Sequence, residues 1–299
     1  MLSAVAVTFS APDTETVSPV LPGGYGGRVV MRRAADPRLD SVVAGLGYSR
    51  GQFAHARELA LPTGGVQLLI SLSTDVLEAW DADDPRVSSR TGAAALQGPT
   101  DRPILLDPAT QREIVWVAFR PGGAWPFFPV DGADLPRRLV DLGDLWGRTG
   151  SELRERLRAA AGPDAALALL ERTLLDQAIR PVEADPAVRR AAEALHAGTP
   201  VAATADLLGW TPRRLNRQFT ARIGLAPKRF SRVRRFQRLL HAAAAAGHGA
   251  DPDWARLAVD CGYYDQAHLI NDFRALSGLT PGAWRPRSPD APNHVPRGD

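Results

Sequence analysis

Residues 205–219 read ADLLGWTPRRLNRQF, and the punctuation of this stretch decides how the rest of the chain is read. An apolar run over residues 201–208 stops at Gly209, the residue type that enters the positive-φ region of a tight turn without steric cost. Thr211 then offers a hydroxyl to cap a new helix, and Pro212 takes the first helical position, where a missing N–H costs nothing. Along that second helix Leu215 and Phe219 share one face at i, i+4 spacing, which leaves Arg213, Asn216 and Arg217 as a polar stripe on another. Such a stripe suits a DNA major groove, where Arg pairs bidentately with guanine and Asn with adenine.

One helix pair joined by a glycine turn is a weak signal, but here it occurs twice. Ala258, Gly262 and Tyr263 repeat Ala205, Gly209 and Trp210 at an offset of 53, and Leu269, Phe273, Gly278, Pro281 and Trp284 repeat Leu215, Phe219, Gly224, Pro227 and Phe230 at an offset of 54. The extra residue falls in the second turn, near Tyr264 and Asp265. Eight matched positions with the length change confined to a turn imply two copies of one supersecondary unit. The stretch between them, residues 227–246, reads as a single helix.

These residues resemble the C-terminal domain of the AraC/XylS family of transcriptional regulators, in which two helix-turn-helix units are joined by a long helix. The resemblance covers roughly residues 186–287, including both turns and the endings Gly224 to Pro227 and Gly278 to Pro281. It implies base contacts at Arg213, Asn216 and Arg217 in the first unit and at the positions of Ala267 and Asn271 in the second. Ala267 departs from the pattern, because it has no polar group to read a base. Arg214, Gln266, His268, Arg229 and Arg232 complete the expected DNA-binding set. Residues 117–147 resemble the sensor-like N-terminal domain of one branch of the same family, which implies an input domain without naming its input.

Charge is segregated in the same way. Residues 186–287 hold 16 Lys and Arg against 7 Asp and Glu, a net +9, whereas residues 1–185 are net −5 within a chain of net +3. A basic module beside an acidic one fits a polyanion partner for only one half. Arginine abundance alone says little, since only Lys228 among the 36 basic residues is lysine and Ala, Gly and Pro are also plentiful, as in a GC-rich genome.

The acidic half shows β-type runs at residues 28–31, 56–61, 66–72 and 113–119, separated by turn clusters, then helical patterns over 135–161 and 164–179. The expected fold is an α+β N-terminal domain, a small antiparallel sheet or barrel followed by helices, and an all-α C-terminal domain with two helix-turn-helix units and a long linking helix. The expected boundaries are a loose leader at 1–20, a sensor or dimerisation domain at 21–180, a linker at 181–187, the DNA-binding domain at 188–287 and a disordered tail at 288–299.

Other chemistry finds little support. The glycines around Tyr25 lack the Lys-Ser/Thr of a phosphate loop. Asp81, Asp83 and Asp84 lack the Gly and distal Glu of a calcium loop. His241 and His248 flank the end of a helix, so no metal, cofactor or catalytic residue is assigned. Cys261, the single cysteine, occupies the repeat position of Leu208 and reads as a buried structural thiol; it also argues against DNA-repair relatives that need reactive and zinc-bound cysteines. No apolar run reaches the roughly 18 residues of a membrane span, and the apolar N-terminus lacks a basic region, so the cytoplasm is expected. The aromatics Trp116, Phe119 and Trp125 with Arg120 among them form a candidate effector pocket for an anion, although alternation puts Trp116 and Phe119 on opposite strand faces. Duplex DNA is the expected partner; RNA polymerase, a small-molecule effector and a second copy in a homodimer are further candidates. The rival expectation is an enzyme with a catalytic N-terminal sheet domain and a C-terminal interaction module.

Overall fold

In chain order the strands are β1 (Gly27–Arg32), β2 (Val43–Gly51), β3 (Arg57–Ala60), β4 (Gln67–Ser71), β5 (Val76–Asp81), β6 (Ser88–Gly92), β7 (Ala94–Gln97), β8 (Ile104–Leu106), β9 (Glu113–Phe119), β10 (Leu139–Asp141) and β11 (His294–Arg297). The helices are α1 (Leu142–Trp146), α2 (Arg148–Arg158), α3 (Pro163–Asp176), α4 (Pro186–His196), α5 (Val201–Leu207), α6 (Pro212–Ile223), α7 (Pro227–Ala245), α8 (Trp254–Asp260) and α9 (Gln266–Ser277). This computed structural model describes residues 27–53, 55–84, 86–135, 137–245 and 252–297. The expected leader, the glycines at 23, 24 and 26 beside Tyr25, and His248 lie outside them. Among the described residues no helix is long and apolar enough to cross a membrane.

The strands form two antiparallel sheets, one in the order β1-β2-β9-β4-β7-β10 and the other β11-β3-β8-β5-β6. Strand β9 shows why the first is buried on both faces. Its alternating side chains send Val115, Val117 and Phe119 into a core shared with Leu142, Trp146, Leu153, Leu167 and Leu170 of the helices. Ile114, Trp116 and Ala118 point the other way, into a smaller cluster with Leu77 of the second sheet. The first sheet is thus a middle layer between helices α1–α3 and the second sheet, as two-period side-chain geometry allows.

Besides the last strand, six strands escape the sequence reading. β2 is buried along most of its length and so shows no alternation. β5, β6, β7, β8 and β10 are short, and β6, SSRTG, has no buried residue. The helical pattern expected from residue 135 begins instead with β10, because residues 139–141 pair with β7 before α1 starts.

The tail is a correction. Residues 288–297, expected to be disordered, run back along the N-terminal domain, and β11 pairs with β3 in register His294↔Ala60 to Arg297↔Arg57. The reason lies in a buried charge that short-range patterns do not reveal. Glu58 is 1% exposed; its carboxylate accepts from Arg287 Nη1 at 3.0 and 3.1 Å, His55 Nε2 lies 2.7 Å away, and His294 Nδ1 also reaches it. An isolated buried carboxylate is costly, and two of its partners come from the chain's last segment.

The halves also share a core. Leu59 and Leu61 pack with Val233, Phe236, Leu240, Phe273, Trp284 and Val295. Within the same seam Gln237 Nε2 donates to Pro62 O at 2.6 Å and Asn293 Oδ1 at 2.8 Å. Each half also keeps a core of its own, and this shared cluster joins the two.

Burial alone would raise the Glu58 carboxyl, but His294, His55 and Arg287 outweigh it and hold it well below its ordinary value. A carboxyl depressed on folding contributes stability that is present above the unfolded value near 4.3 and is lost only as pH falls through the lower folded value. Glu58→Gln should therefore destabilise the chain at neutral pH by about 3 kcal/mol, the usual scale for breaking a buried pair from one side. Urea melts of the two proteins at pH 7 check this.

Candidate nucleic-acid interface

The first unit is built as its punctuation requires. Gly209 turns at φ 62°, and Thr211 caps α6 by accepting from Arg214 N at 3.2 Å. Leu215, Phe219 and Ile223 are buried, in a cluster with Val188, Ala192 and Leu195 of α4 and Phe230 of α7. Burying that stripe turns the opposite face outward, so Arg213, Arg214, Asn216 and Arg217 are all exposed. The Arg214 guanidinium lies over Trp210 at 4.8 Å, which orients it toward the turn.

The second unit has the same geometry. Gly262 turns at φ 80°, and Asp265 caps α9 by accepting from His268 N at 2.7 Å. Gln266, Ala267 and Asn271 are exposed. His268 is half-buried, its ring edge-on to Tyr263 at 5.2 Å, with Nδ1 accepting from Tyr264 N at 3.3 Å. Its geometry shapes the turn rather than extending outward. Tyr264, not singled out in the sequence, is 91% exposed beside this helix start.

Asp272 sits near the exposed face of α9 yet points into the protein. Only 7% exposed, it accepts from Arg232 Nε at 2.8 Å and Arg235 Nη2 at 2.7 Å. A carboxylate that would repel phosphate is thereby neutralised and fixes α9 against α7. Arg229 likewise pairs with Asp101 of the N-terminal domain at 3.1 Å. Of the expected DNA-binding residues, the structure gathers Arg213, Arg214, Asn216 and Arg217 on one face and Gln266 and Asn271 on another, and holds Arg229 and Arg232 in ion pairs.

The four expected effector residues do not meet. Trp116 and Phe119 are buried in different clusters on opposite faces of β9. Arg120 donates to Asp40 O at 2.8 Å and lines a 270 Å³ cleft against α4 and α7. Arg180 and Arg222 stack on Trp125 at 4.1 and 3.9 Å. A larger cavity of 680 Å³ lies elsewhere, lined by four arginines, Arg90, Arg102, Arg137 and Arg138, with Trp80. It draws on strands and loops far apart in sequence, so no local pattern marks it. Cys261 is buried in the seam core.

Beneath α7 lies a neutral histidine. Arg234 Nε donates to His196 Nδ1 at 3.1 Å and Arg238 donates to its carbonyl. Burial, followed by Arg234 and Arg238, lowers the His196 pKa to about 4.

Residues 204–287 match the family model described as a helix-turn-helix domain. Among solved structures the chain is similar to ToxT from Vibrio cholerae O395, at 10% identity over 86% of this chain and 95% of that one, with a TM-score of 0.42. It is similar to the same protein bound to (E)-4-(8-methylnaphthalen-1-yl)but-3-enoic acid, at 10% identity, 86% and 96% coverage and a TM-score of 0.45. Unsaturated fatty acid bound wild-type ToxT from Vibrio cholerae strain SCE256 is similar at 8% identity, 86% and 93% coverage and a TM-score of 0.42. No curated protein matches the chain.

A histidine whose folded pKa is depressed takes up its proton more readily unfolded, so its contribution is intact above about 6.5 and declines as pH falls toward about 4. Thermal midpoints should fall over that window. His196→Asn, which keeps an acceptor near the Nδ1 position and cannot titrate, should flatten the decline; melting curves from pH 7 to pH 4 measure it. Asp272→Ala leaves two partly exposed arginines unpaired and should cost about 2 kcal/mol, whereas the exposed Asn271→Ala should leave the midpoint unchanged in the same assay.

Proposed function

We propose that the protein is a transcription regulator that binds duplex DNA sequence-specifically through the exposed faces of α6 and α9, in the cytoplasm where the chromosome lies. The observation that carries this reading is the state of the first recognition helix. Its apolar stripe is sealed in a core, while Arg213, Asn216 and Arg217 stand exposed together. The linking helix α7 has 19 residues, or about 28 Å at 1.5 Å per residue, comparable with the ~34 Å repeat of the duplex. Two recognition helices so linked suit successive major grooves on one face of DNA.

The N-terminal domain is read as the input module, responding to a small molecule and offering a surface for a second copy; RNA polymerase is the partner through which bound regulator reaches transcription. No reaction is assigned to the chain.

The two helices share readout unequally. Arg213, Asn216 and Arg217 correspond by repeat to Ala267, Ile270 and Asn271, so the second helix has lost both arginines. A bidentate Arg-guanine contact discriminates by about 1 to 3 kcal/mol, so Arg217→Ala should cost roughly tenfold in specific affinity and relax one base position. Asn271→Ala should cost less. Binding of the full chain and both variants to a randomised duplex library tests this; a larger loss for Asn271→Ala reverses the assignment, and no DNA binding even at low salt overturns the function. Wild-type affinity should also fall steeply with salt, by about 0.9 in log-log slope for each phosphate contacted.

A further inference from the structure

The 680 Å³ cavity of the N-terminal domain has a chemistry of its own. Arg90 comes from β6, Arg102 from the loop before β8, and Arg137 and Arg138 from the segment before β10. Arg102 makes only a 3.4 Å contact with Asp83 at the surface, and Arg90, Arg137 and Arg138 have no side-chain partner among the described residues. Trp80 supplies an aromatic wall, itself covered by Arg57 at 4.5 Å, and Thr100 lies toward the interior. One carboxylate also lines the space, but Asp81 Oδ1 is engaged by Asp83 N and Asp84 N at 2.8 and 3.2 Å. All four arginines are exposed, so water solvates them while the space is open, and an anion entering between them meets several guanidinium groups with donors to spare.

The backbone at the rim is unusual as well. Arg137 has φ 57°, the left-handed region in which a residue with a Cβ pays about 1 kcal/mol or more. It is held there by donating its N–H to Pro99 O at 3.2 Å, while Gly98 N donates to Arg138 O at 2.9 Å. These two laced loops also grip the first recognition helix. Gly224, the left-handed C-cap of α6, lies so close that a Cβ would sit 2.5 Å from Gly132 O and 2.6 Å from a Pro99 ring carbon. Arg222 reaches Asp131 at 3.6 Å, and Arg229 reaches Asp101 at 3.1 Å.

We propose that this cavity binds a small organic anion, with a carboxylate, sulfonate or phosphate group among the arginines and a planar body against Trp80, and that its occupancy shifts α6 through loops 97–102 and 131–139. The proposal rests on the reading of the N-terminal domain as the input module and assigns that input a site and a charge. An anion drawn between Arg102 and Arg137 pulls on both loops at once, and Gly224 has no slack against either. Differential contact with two positions of the loops is what linkage between ligand and DNA requires.

The test uses the full chain and the fluorescent aromatic anion 8-anilinonaphthalene-1-sulfonate, with uncharged N-phenyl-1-naphthylamine as comparator. The proposal expects saturable binding of the anion, tighter than the comparator. Arg90→Glu combined with Arg138→Glu should weaken it at least about tenfold, the loss of one charge-assisted contact. Arg189→Glu, on α4 where that residue lines the 270 Å³ cleft, should leave it unchanged, all three proteins melting alike. Duplex affinity of the wild type should change when the anion saturates, and that change should vanish in the double variant. Equal binding of the uncharged dye, or binding indifferent to the double substitution, removes the anion site while leaving an input elsewhere in the domain open. Cavity binding that leaves duplex affinity untouched overturns the coupling. If the double substitution spares dye binding and weakens DNA binding at low salt, the arginines serve phosphates of DNA and the proposal fails.

Discussion

The buried carboxylate of Glu58 is the constraint on which the arrangement of the molecule depends. A charge this deeply enclosed persists only when paired and hydrogen-bonded, and its partners are drawn from both ends of the chain: His55 three residues before it, Arg287 after the last helix-turn-helix, and His294 in the final strand. Satisfying Glu58 therefore requires the C-terminal domain to be docked. Once it is, Leu59 and Leu61 fall into the core of the second helix-turn-helix unit, and α7 presents Arg234 and Gln237 to the carbonyls of Thr63 and Pro62. Apolar burial supplies the affinity of this seam, and the polar cluster supplies its register.

That seam explains how one rigid frame can present two reading heads. The second unit is fixed to α7 by Asp272, Arg232 and Arg235 and to the N-terminal sheet by the shared core. The first is fixed by the α4, α6 and α7 cluster and by the loops against Gly224. The two heads are thus tied to the N-terminal domain by different contacts. The first is held mainly by loops and partly exposed ion pairs, the second by a sealed apolar core. Loops and exposed pairs yield at lower energy than packed cores, so the first head is the one an event in the N-terminal domain can move.

What could be read from sequence follows the range of the forces involved. Helix-turn-helix geometry is local: Gly209, Thr211, Pro212 and the Leu215/Phe219 stripe each act within a turn of their neighbours, and the repeat doubles the signal. The inward turn of Asp272 was open, because a carboxylate four residues past His268 can face either way until α7 supplies its arginines. β2 was hidden because burial along most of its length erases alternation. The tail strand was hidden because its reason, Glu58, lies 236 residues away from His294. The arginine-lined cavity was hidden for a similar reason, its four cations coming from three separate segments, and the aromatic run 116–125 drew attention that the β9 alternation then divided between two cores.

The pairing of β11 with β3 also sets a timetable for synthesis. When β3 leaves the ribosome its outer edge has no partner, and the complement lies more than two hundred residues downstream. At ordinary elongation rates of about 5 to 20 residues per second, that edge stays open for roughly ten to fifty seconds. An open edge is a template for pairing with another chain, and here it carries Glu58 on an inward-facing position with neither Arg287 nor His294 yet made. An unpaired inward charge discourages a stray strand from closing over it, so the same carboxylate that orders the finished molecule guards the nascent one until its own last strand arrives.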